Sequence, residues 1–360
     1  MTAVRNRFTR FSALAIMIIF AGIACNDDEQ SWTIESLSGV QSNSVTFTDR
    51  TRVTVDQSVA FAENTSLNLS GQVEFLMGEN TQFDLPQTVS IASSSHIVFK
   101  ASGTSAWSKL RAAHPEVNLH DVSISGSIIG LDLSGAGNVR LENVTITGCE
   151  QYGMYAVSLD SLVVLQCSFS NCESDAAHVK FCKGRFWKTT FSNSVNGVYA
   201  LDNSLVFTDC TFRSNGLTET GSGMRNLGND AAYRVEHCLF TDNYYGIHDI
   251  ANHDVELVYS QFSNTHYFPL LFAHPFTERV LIEQNNILPG PGERRIELTT
   301  TGNYRVGRHL PAANNWWGTT DTTVVTSISS FVGDGRHVAN TDTIRIEPIL
   351  LTPVPAAGPR

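Results

Sequence analysis

The sequence predicts an all-β solenoid built from coils of about 22 residues. Composition is the first observation behind this prediction. Only 16% of the 360 residues are charged, while Ser, Thr, Asn, Gly and β-branched residues are abundant, which is typical of short strands joined by polar turns. The second observation is a recurring apolar position followed by polar turn residues, as in FTDCTFRSNG, VEHCLFTDN and VLQCSFSNC.

The recurrence has a nearly constant period. Aligned on its central apolar residue, the motif returns at Ile124, Ile146, Phe169, Phe191, Phe212, Phe240, Phe262 and Ile287. The successive steps are 22, 23, 22, 21, 28, 22 and 25 residues. Two further apolar patches recur within each interval, so a repeat holds three short strands and leaves no room for a helix. A period of this length indicates stacked coils.

The same alternation continues towards the N-terminus. Val59 precedes Phe83 by 24 residues, and Leu67 precedes Val89 by 22. We therefore expect the coils to occupy residues 50–353 as a single domain. Residues 25–49 are expected to form a tether and an N-terminal cap, although 31–49 also fit a first rung.

Residues 1–24 have the pattern of a secretory signal peptide. Three arginines precede a short apolar run that is too short to span a bilayer comfortably. The sequence GIAC at 22–25 resembles a bacterial lipobox, which predicts Cys25 as the lipidation site, and ordinary signal-peptidase cleavage nearby is the alternative. The acidic stretch 26–30 resembles the tether of surface-exported lipoproteins. We expect an exported, outer-membrane lipoprotein, with the periplasmic face and the cell surface as the two alternatives for its location.

The charge balance limits the range of partners. Residues 1–24 carry three arginines and no acidic residue, so their removal changes the formal charge from −11 to −14. Such a surface repels nucleic acid and anionic membranes at long range. We therefore expect no nucleic-acid partner, membrane contact only through a lipid anchor, and a monomer.

The repeat, with NNWWGTTD at 314–321 and IRIEPILLTP at 344–353, resembles the pectate-lyase-like superfamily over roughly residues 50–353. The resemblance implies a right-handed, single-stranded parallel β-helix of about a dozen coils. Trp316 and Trp317 are then expected to cover the open edge of the last coil. Members of that superfamily include polysaccharide lyases, hydrolases, adhesins and non-catalytic proteins, so the fold leaves the function open.

The recurring Cys and Phe residues predict interior ladders. Cys210 and Phe212 are two residues apart, as are Cys238 and Phe240, so each pair points to the same side of a strand. Six cysteines remain after Cys25, and they are either buried thiols or disulfides. No CxxC or HxxxH spacing occurs, so no metal site is predicted. Asn residues just after the anchors are expected at stacked turns.

One outward side chain per coil forms the candidate ligand-binding site. The five residues are Tyr155, His178, Tyr199, Arg225 and His248. We call this row the stripe, and strand spacing gives it a length of about 19 Å. Aromatic faces stack on sugar rings, while Arg and His bond to hydroxyls or carboxylates. The stripe predicts binding of a polysaccharide or another extended polymer, with the Gly-rich insertion at 215–230 as a wall. An ordinary solvated sheet face is the alternative.

Catalysis is the second functional hypothesis. The resemblance implies lyases in which Arg or Lys takes a proton beside a uronate carboxylate, commonly with Ca²⁺. Candidate residues here are Arg225 as the base, with Lys180, His248 and Asp249 nearby. No carboxylate pair suited to a glycoside hydrolase is apparent, and Ca²⁺ is expected only for a lyase. A purely structural or adhesive surface protein is the third hypothesis.

Overall fold

Short parallel strands follow one another along the chain, and hydrogen-bonded neighbours lie one repeat apart in sequence. The computed structural model describes residues 31–216, 220–228, 232–250, 254–272, 280–291, 296–299, 309–332 and 343–360. The predicted signal peptide, Cys25 and the acidic stretch 26–30 lie outside these ranges. Residues Trp32–Arg360 form one compact unit.

Sheet 1 holds the anchor residues of the repeat. Its 12 strands are Thr33–Ser36, Thr51–Val55, Gln72–Met77, His96–Ala101, Val122–Ser125, Thr145–Thr147, Ser168–Ser170, Thr190–Ser192, Thr211–Arg213, Leu239–Thr241, Gln261–Ser263 and Asn286–Ile287. The register pairs each predicted anchor with the next, from Ile124 to Ile287. The predicted period is therefore the vertical step between rungs.

Sheet 2 follows sheet 1 in every coil and carries the stripe. Its 13 strands are Gly39–Gln41, Val59–Phe61, Gln82–Asp84, Trp107–Arg111, Ser127–Asp132, Tyr152–Val157, Asp175–Lys180, Asn196–Leu201, Ser222–Leu227, Tyr245–Asp249, Phe268–Phe272, Ile296–Thr299 and Ser329–Val332. Consecutive strands of this sheet pair in parallel.

Sheet 3 closes the coils from residue 116 onwards. Its eight strands are Glu116–His120, Asn138–Glu142, Ser161–Leu165, Lys183–Trp187, Ser204–Thr208, Ala232–Glu236, Asp254–Val258 and Val280–Glu283. A separate three-stranded sheet takes its place in the first coils, with strands Val45–Phe47, Ser66–Leu69 and Thr88–Ile91. The fold is thus the predicted one, an all-β, right-handed, single-stranded parallel β-helix.

Stacked phenylalanine rings form the interior of the coils. Phe212 lies between Phe191, with ring centroids 5.1 Å apart, and Phe240, at 4.4 Å. The next pair, Phe240 and Phe262, are 4.7 Å apart and within 9° of parallel. All four side chains are fully buried. Each contributes about 1.5–3 kcal/mol relative to exposure, which confirms the predicted ladder as the main source of stability.

Asparagine side chains organise the corners, as expected. Asn171, Asn193 and Asn264 have φ values of 56°, 54° and 51°, the left-handed region that Asn tolerates. Asn215 Nδ2 donates to Asn243 Oδ1 at 3.0 Å in the next coil. These bonds satisfy polar groups that the turns would otherwise bury without partners.

The six cysteines of the coils are buried free thiols, the first of the two alternatives. They are Cys149, Cys167, Cys172, Cys182, Cys210 and Cys238. Burial raises the pKa of Cys167 to about 11, so its thiol stays protonated at neutral pH. Cys182 Sγ donates to the carbonyl oxygen of Lys180 at 3.0 Å. All six side chains are buried and pack within the coils.

The two ends of the coil stack differ in construction. At the N-terminal end, Thr33–Ser36 pairs with Thr51–Thr54, so this segment is a first rung rather than a separate cap. At the other end, Trp316 bridges Asn286 on the last rung of sheet 1, and Trp317 is fully buried. The tryptophans therefore close the stack as expected.

The segment after the tryptophans contains the helix Thr322–Ile328, just before the last strand of sheet 2. The repeat pattern did not predict it because it follows the last anchor, Ile287. Asp321 Oδ1 caps it by accepting from Thr323 N at 2.9 Å. In the sequence, the helix stands between the strands His309–Pro311 and Thr343–Arg345, which pair with each other as a two-stranded sheet. Among the described residues no helix has the length and apolar character to cross a membrane.

Candidate functional site

The outer face of sheet 2 brings all five stripe residues into one row. Tyr155 pairs with His178, His178 with Tyr199, Tyr199 with Arg225, and Arg225 with His248. Four of the side chains are half-buried, and His178 is buried. The arrangement has the predicted register, while the ligand-binding role of these residues stays a prediction.

Glycines in the stripe strands let neighbouring coils approach closely. A Cβ on Gly153 would lie 2.4 Å from the Ala176 carbonyl oxygen, and one on Gly246 would lie 2.3 Å from that of Pro269. Such contacts are impossible for an L side chain. The small residue of the repeat therefore marks the close backbone approach just before each stripe position.

His178 is held within a stack of aromatic rings. Its ring centroid is 4.5 Å from Tyr199, with only 7° between the planes, and 4.5 Å from Tyr152. Tyr155 is 5.4 Å away on the same side. Only 6% of His178 is exposed, and its Nε2 atom has no hydrogen-bond partner. His178 thus supports the tyrosine rings, and the expectation that it is an exposed ligand contact is not met.

A buried carboxylate fixes the imidazole of His178. Asp175 Oδ2 accepts from His178 Nδ1 at 2.6 Å, and its Oδ1 accepts from Asn196 Nδ2 at 2.8 Å. Asn196 Oδ1 accepts in turn from Ser222 Oγ at 3.0 Å. Asp175 is 2% exposed. This chain of hydrogen bonds crosses three coils and determines which ring nitrogen carries the proton.

The sequence also marks these three residues, by their shared position in the repeat. Each of Asp175, Asn196 and Ser222 stands three positions before a stripe residue, in three successive repeats. The register confirms that they form a second row beside the stripe. Tyr152 and Tyr245 occupy the same position in their own repeats.

Arg225 and His248 form the cationic end of the stripe. Burial and, to a lesser extent, the positive charge of Arg225 lower the pKa of His248 to about 4, against the opposing effect of Asp249. His248 is therefore neutral at pH 7, and the charge belongs to Arg225. Arg225 Nε and His248 Nδ1 are buried atoms without hydrogen-bond partners.

A second aromatic group flanks this end of the stripe. Tyr244 and Tyr267 stack with ring centroids 5.5 Å apart and planes within 3°. Tyr245 lies 5.1 Å from the ring of His248. All three tyrosines are half-buried. They extend the aromatic surface beyond the five residues predicted from the sequence.

Two of the catalytic candidates occupy different environments. Lys180 lies on the outer face, with Nζ 6.0 Å from the ring centroid of Tyr155. Asp249 points into the coil interior, where it is 2% exposed and accepts from Tyr233 OH at 3.0 Å. The side chain of Asp249 therefore lies on the opposite side of the strand from that of His248, because consecutive residues of a strand point to opposite sides, and its catalytic role stays a prediction.

The insertion 215–230, which is predicted to form a wall beside the stripe, lies only partly within the described ranges. Residues 217–219, 229 and 230 of the insertion lie outside the described ranges, as do Arg294 and Arg295. Within the described part of the chain, no three His, Cys, Asp or Glu residues are arranged to hold a metal ion.

Comparison with known proteins supports the fold. A family model described as the right handed beta helix region matches residues 111–262, which contain the whole stripe. Neither the curated proteins nor the solved structures contain a significant match. A fold of this kind is compatible with both binding and enzymatic functions, so the chemistry has to be argued from the outer face itself.

Proposed function

We propose that the protein binds a polysaccharide or another extended polymer along the outer face of sheet 2. The observation that carries this proposal is the register of Tyr155, Tyr199, Arg225 and His248 on successive coils. Aromatic rings and hydrogen-bond donors repeated along one line suit a polymer whose chemical groups also repeat.

Rigidity of this face supports a binding role. The tyrosines stand on strands and not on loops, and His178 stacks on the ring of Tyr199 at 4.5 Å. Asp175 and Asn196 prevent the imidazole from turning. A surface fixed before the ligand arrives loses less conformational entropy on binding.

The proposal also covers the cellular location of the protein and its relationship to other β-helix proteins. The signal-like residues 1–24, the lipobox-like Cys25 and the acidic stretch 26–30 support an exported, lipid-anchored protein at the cell surface. The repeat and the NNWWG segment support a relationship to pectate-lyase-like proteins. Labelled palmitate should be incorporated by the wild type in cells and not by Cys25→Ala. Equal labelling of the two would contradict the anchor.

Binding is tested with an array of polysaccharides and the full chain. We expect Tyr199→Ala with Arg225→Ala to abolish retention of the uncharged polysaccharides that the wild type binds. The matched control, Val206→Ala with Arg140→Ala on the outer face of sheet 3, should retain it. If the wild type binds nothing, or both double variants bind equally, the proposed site is wrong.

Acid–base catalysis on the same face is a second candidate function. The Asp175–His178 hydrogen bond of 2.6 Å favours it, because a carboxylate that holds Nδ1–H leaves Nε2 as the basic atom. The tyrosine rings cover Nε2, so catalysis requires one of them to move. Ultraviolet absorbance and new reducing ends would reveal turnover, and His178→Phe, which keeps the ring stack, should abolish it.

A further inference from the structure

One coil carries an unusual concentration of positive charge. Residues 180–188, KFCKGRFWK, contain four cationic residues and no acidic one, in a chain whose formal charge is −11. The strand Lys183–Trp187 belongs to sheet 3, with Phe186 fully buried between its outward neighbours. Alternation therefore directs Lys183, Arg185 and Trp187 outwards, and all three are exposed.

The residues facing this strand carry no charge. Lys183 pairs in register with Ser204, and Arg185 lies between Val163 and Val206 on the two adjacent strands. Trp187 lies between Leu165 and Thr208.

Within the described part of the chain, Lys180, Lys183, Arg185 and Lys188 take part in no ion pair. Other arginines of the same column are paired. Arg140 contacts Glu142 at 2.7 Å, and Arg234 contacts Glu256 at 2.7 Å.

The aromatic member of the row is fixed in place. Trp187 is 37% exposed, and its Nε1 donates to Asp209 Oδ2 at 3.2 Å. Lys188 Nζ lies 4.8 Å from the centroid of the same ring. A cation and an exposed ring face held together in this way can meet a ligand that carries both negative charge and an apolar ring.

We propose that Lys183, Arg185, Trp187 and Lys188, here called the basic row, bind a linear anionic polysaccharide lying along the strand. The basic row lies along one strand of sheet 3, so it runs across the coil stack. The stripe lies on sheet 2 and runs from coil to coil. The two rows are therefore separate surfaces. Its cations are available because no carboxylate among the described residues forms an ion pair with them.

The surroundings favour a linear polymer over an anionic membrane. Adjacent parts of the sheet 3 face carry Glu142, Glu236 and Glu256. A planar anionic surface would approach these carboxylates together with the cations, whereas a narrow chain meets only the row. Successive outward residues on a strand are about 6.6 Å apart, a spacing that suits about one charge per sugar unit. Duplex DNA, with one charge per about 1.7 Å, is a poorer match for an acidic protein.

Dextran, carboxymethyl dextran and dextran sulfate share one backbone and provide the probes. The full chain should bind both anionic dextrans more tightly than neutral dextran, with this difference in affinity falling steeply as salt rises. Lys183→Gln with Arg185→Gln should weaken binding about tenfold. Arg140→Gln, a charge change on the same column of sheet 3, should alter it by less than about twofold.

Several outcomes overturn the proposal. One is equal weakening by Arg185→Gln and Arg140→Gln in proteins with unchanged thermal unfolding. Others are equal binding of neutral dextran, or tighter binding of single-stranded DNA or phosphatidylglycerol vesicles. Because the stripe residues are untouched in these variants, loss at the basic row is distinguishable from failure of the site on sheet 2.

Discussion

The outer faces of sheets 2 and 3 are built on the same coils, yet they handle polar groups in different ways. On sheet 3, charged side chains form exposed pairs such as Arg140 with Glu142, whose side chains are 45% and 38% exposed. On sheet 2, the carboxylate of Asp175 is buried beneath stacked rings and bonds to His178. The comparison shows that the two faces differ in how deeply their charged groups are buried: Asp175 is 2% exposed, whereas the Arg140–Glu142 pair is open to solvent.

The physical reason is whether water can solvate a polar group that has lost its partner. The two charges of an exposed ion pair are solvated whether or not they are paired, so the pair contributes only about 0–1 kcal/mol to the free energy of unfolding. A buried hydrogen-bonded carboxylate has no water to replace a lost partner, so breaking the contact costs the full desolvation of what remains. Side chains on sheet 2 are consequently held more firmly than those on sheet 3.

The largest expected effect is the loss of Asp175. Asp175→Ala leaves His178 Nδ1 and Asn196 Nδ2 without their acceptor and should lower the free energy of unfolding by about 2–4 kcal/mol. Glu142→Ala on sheet 3 should lower it by less than about 1 kcal/mol. Urea denaturation measures both values, and equal losses would erase the distinction between the faces.

The next effect is a pH dependence specific to sheet 2. The pKa of His248 is lowered to about 4 by burial and by Arg225, against about 6.5 in the unfolded chain. The unfolded state therefore binds the proton first, and stability is lost as pH falls from about 6.5 to about 4, by at most about 3 kcal/mol.

His248→Gln should remove this component of the pH dependence, and Arg225→Ala should raise the pKa of His248. A proton resonance titration of His248 measures the pKa directly. A value near 6.5 in the folded wild type would show that the end of the stripe is solvated like sheet 3.

A smaller effect is expected on ligand binding. Tyr199→Ala removes the ring that stacks on His178 and should weaken polysaccharide binding by about 1–2 kcal/mol, roughly five- to thirtyfold. Tyr199→Phe keeps the ring and should bind within about threefold of the wild type. Calorimetric titration distinguishes them, and an unaffected Tyr199→Ala variant would remove Tyr199 from the site.

The smallest effect belongs to the exposed pair on sheet 3. Arg140→Gln should change the free energy of unfolding by less than about 0.5 kcal/mol, with the difference vanishing at high salt. Thermal unfolding at two salt concentrations is the measurement. A loss as large as that of Asp175→Ala would mean that sheet 3 also depends on its charges.

Much of the fold was readable from the recurring interval. The anchors from Ile124 to Ile287 pair as predicted, and so do the stripe residues. Alternation also explains the inward side chain of Asp249, because a residue next to His248 in a strand has to point inwards. The helix at 322–328 was not predicted because it follows the last anchor of the repeat, Ile287.

The content of the site was less predictable. The outward position of His178 followed from the pattern, but its 6% exposure did not. That burial depends on Tyr152, Tyr155 and Tyr199, whose rings come from the two coils that flank His178 and cover the imidazole together. Asp175 had a sequence signal, yet its role depends on a contact across the strand that the signal does not specify.

The sequence by itself determined the architecture, since a fixed interval between like residues becomes a vertical step when the coils stack and the backbone bonds run between them. Only the tertiary structure decided which side chains are covered, paired or left with an unused hydrogen-bonding atom. Coverage depends on the sizes and torsions of several neighbouring side chains at once, and no single repeat of the sequence contains that information.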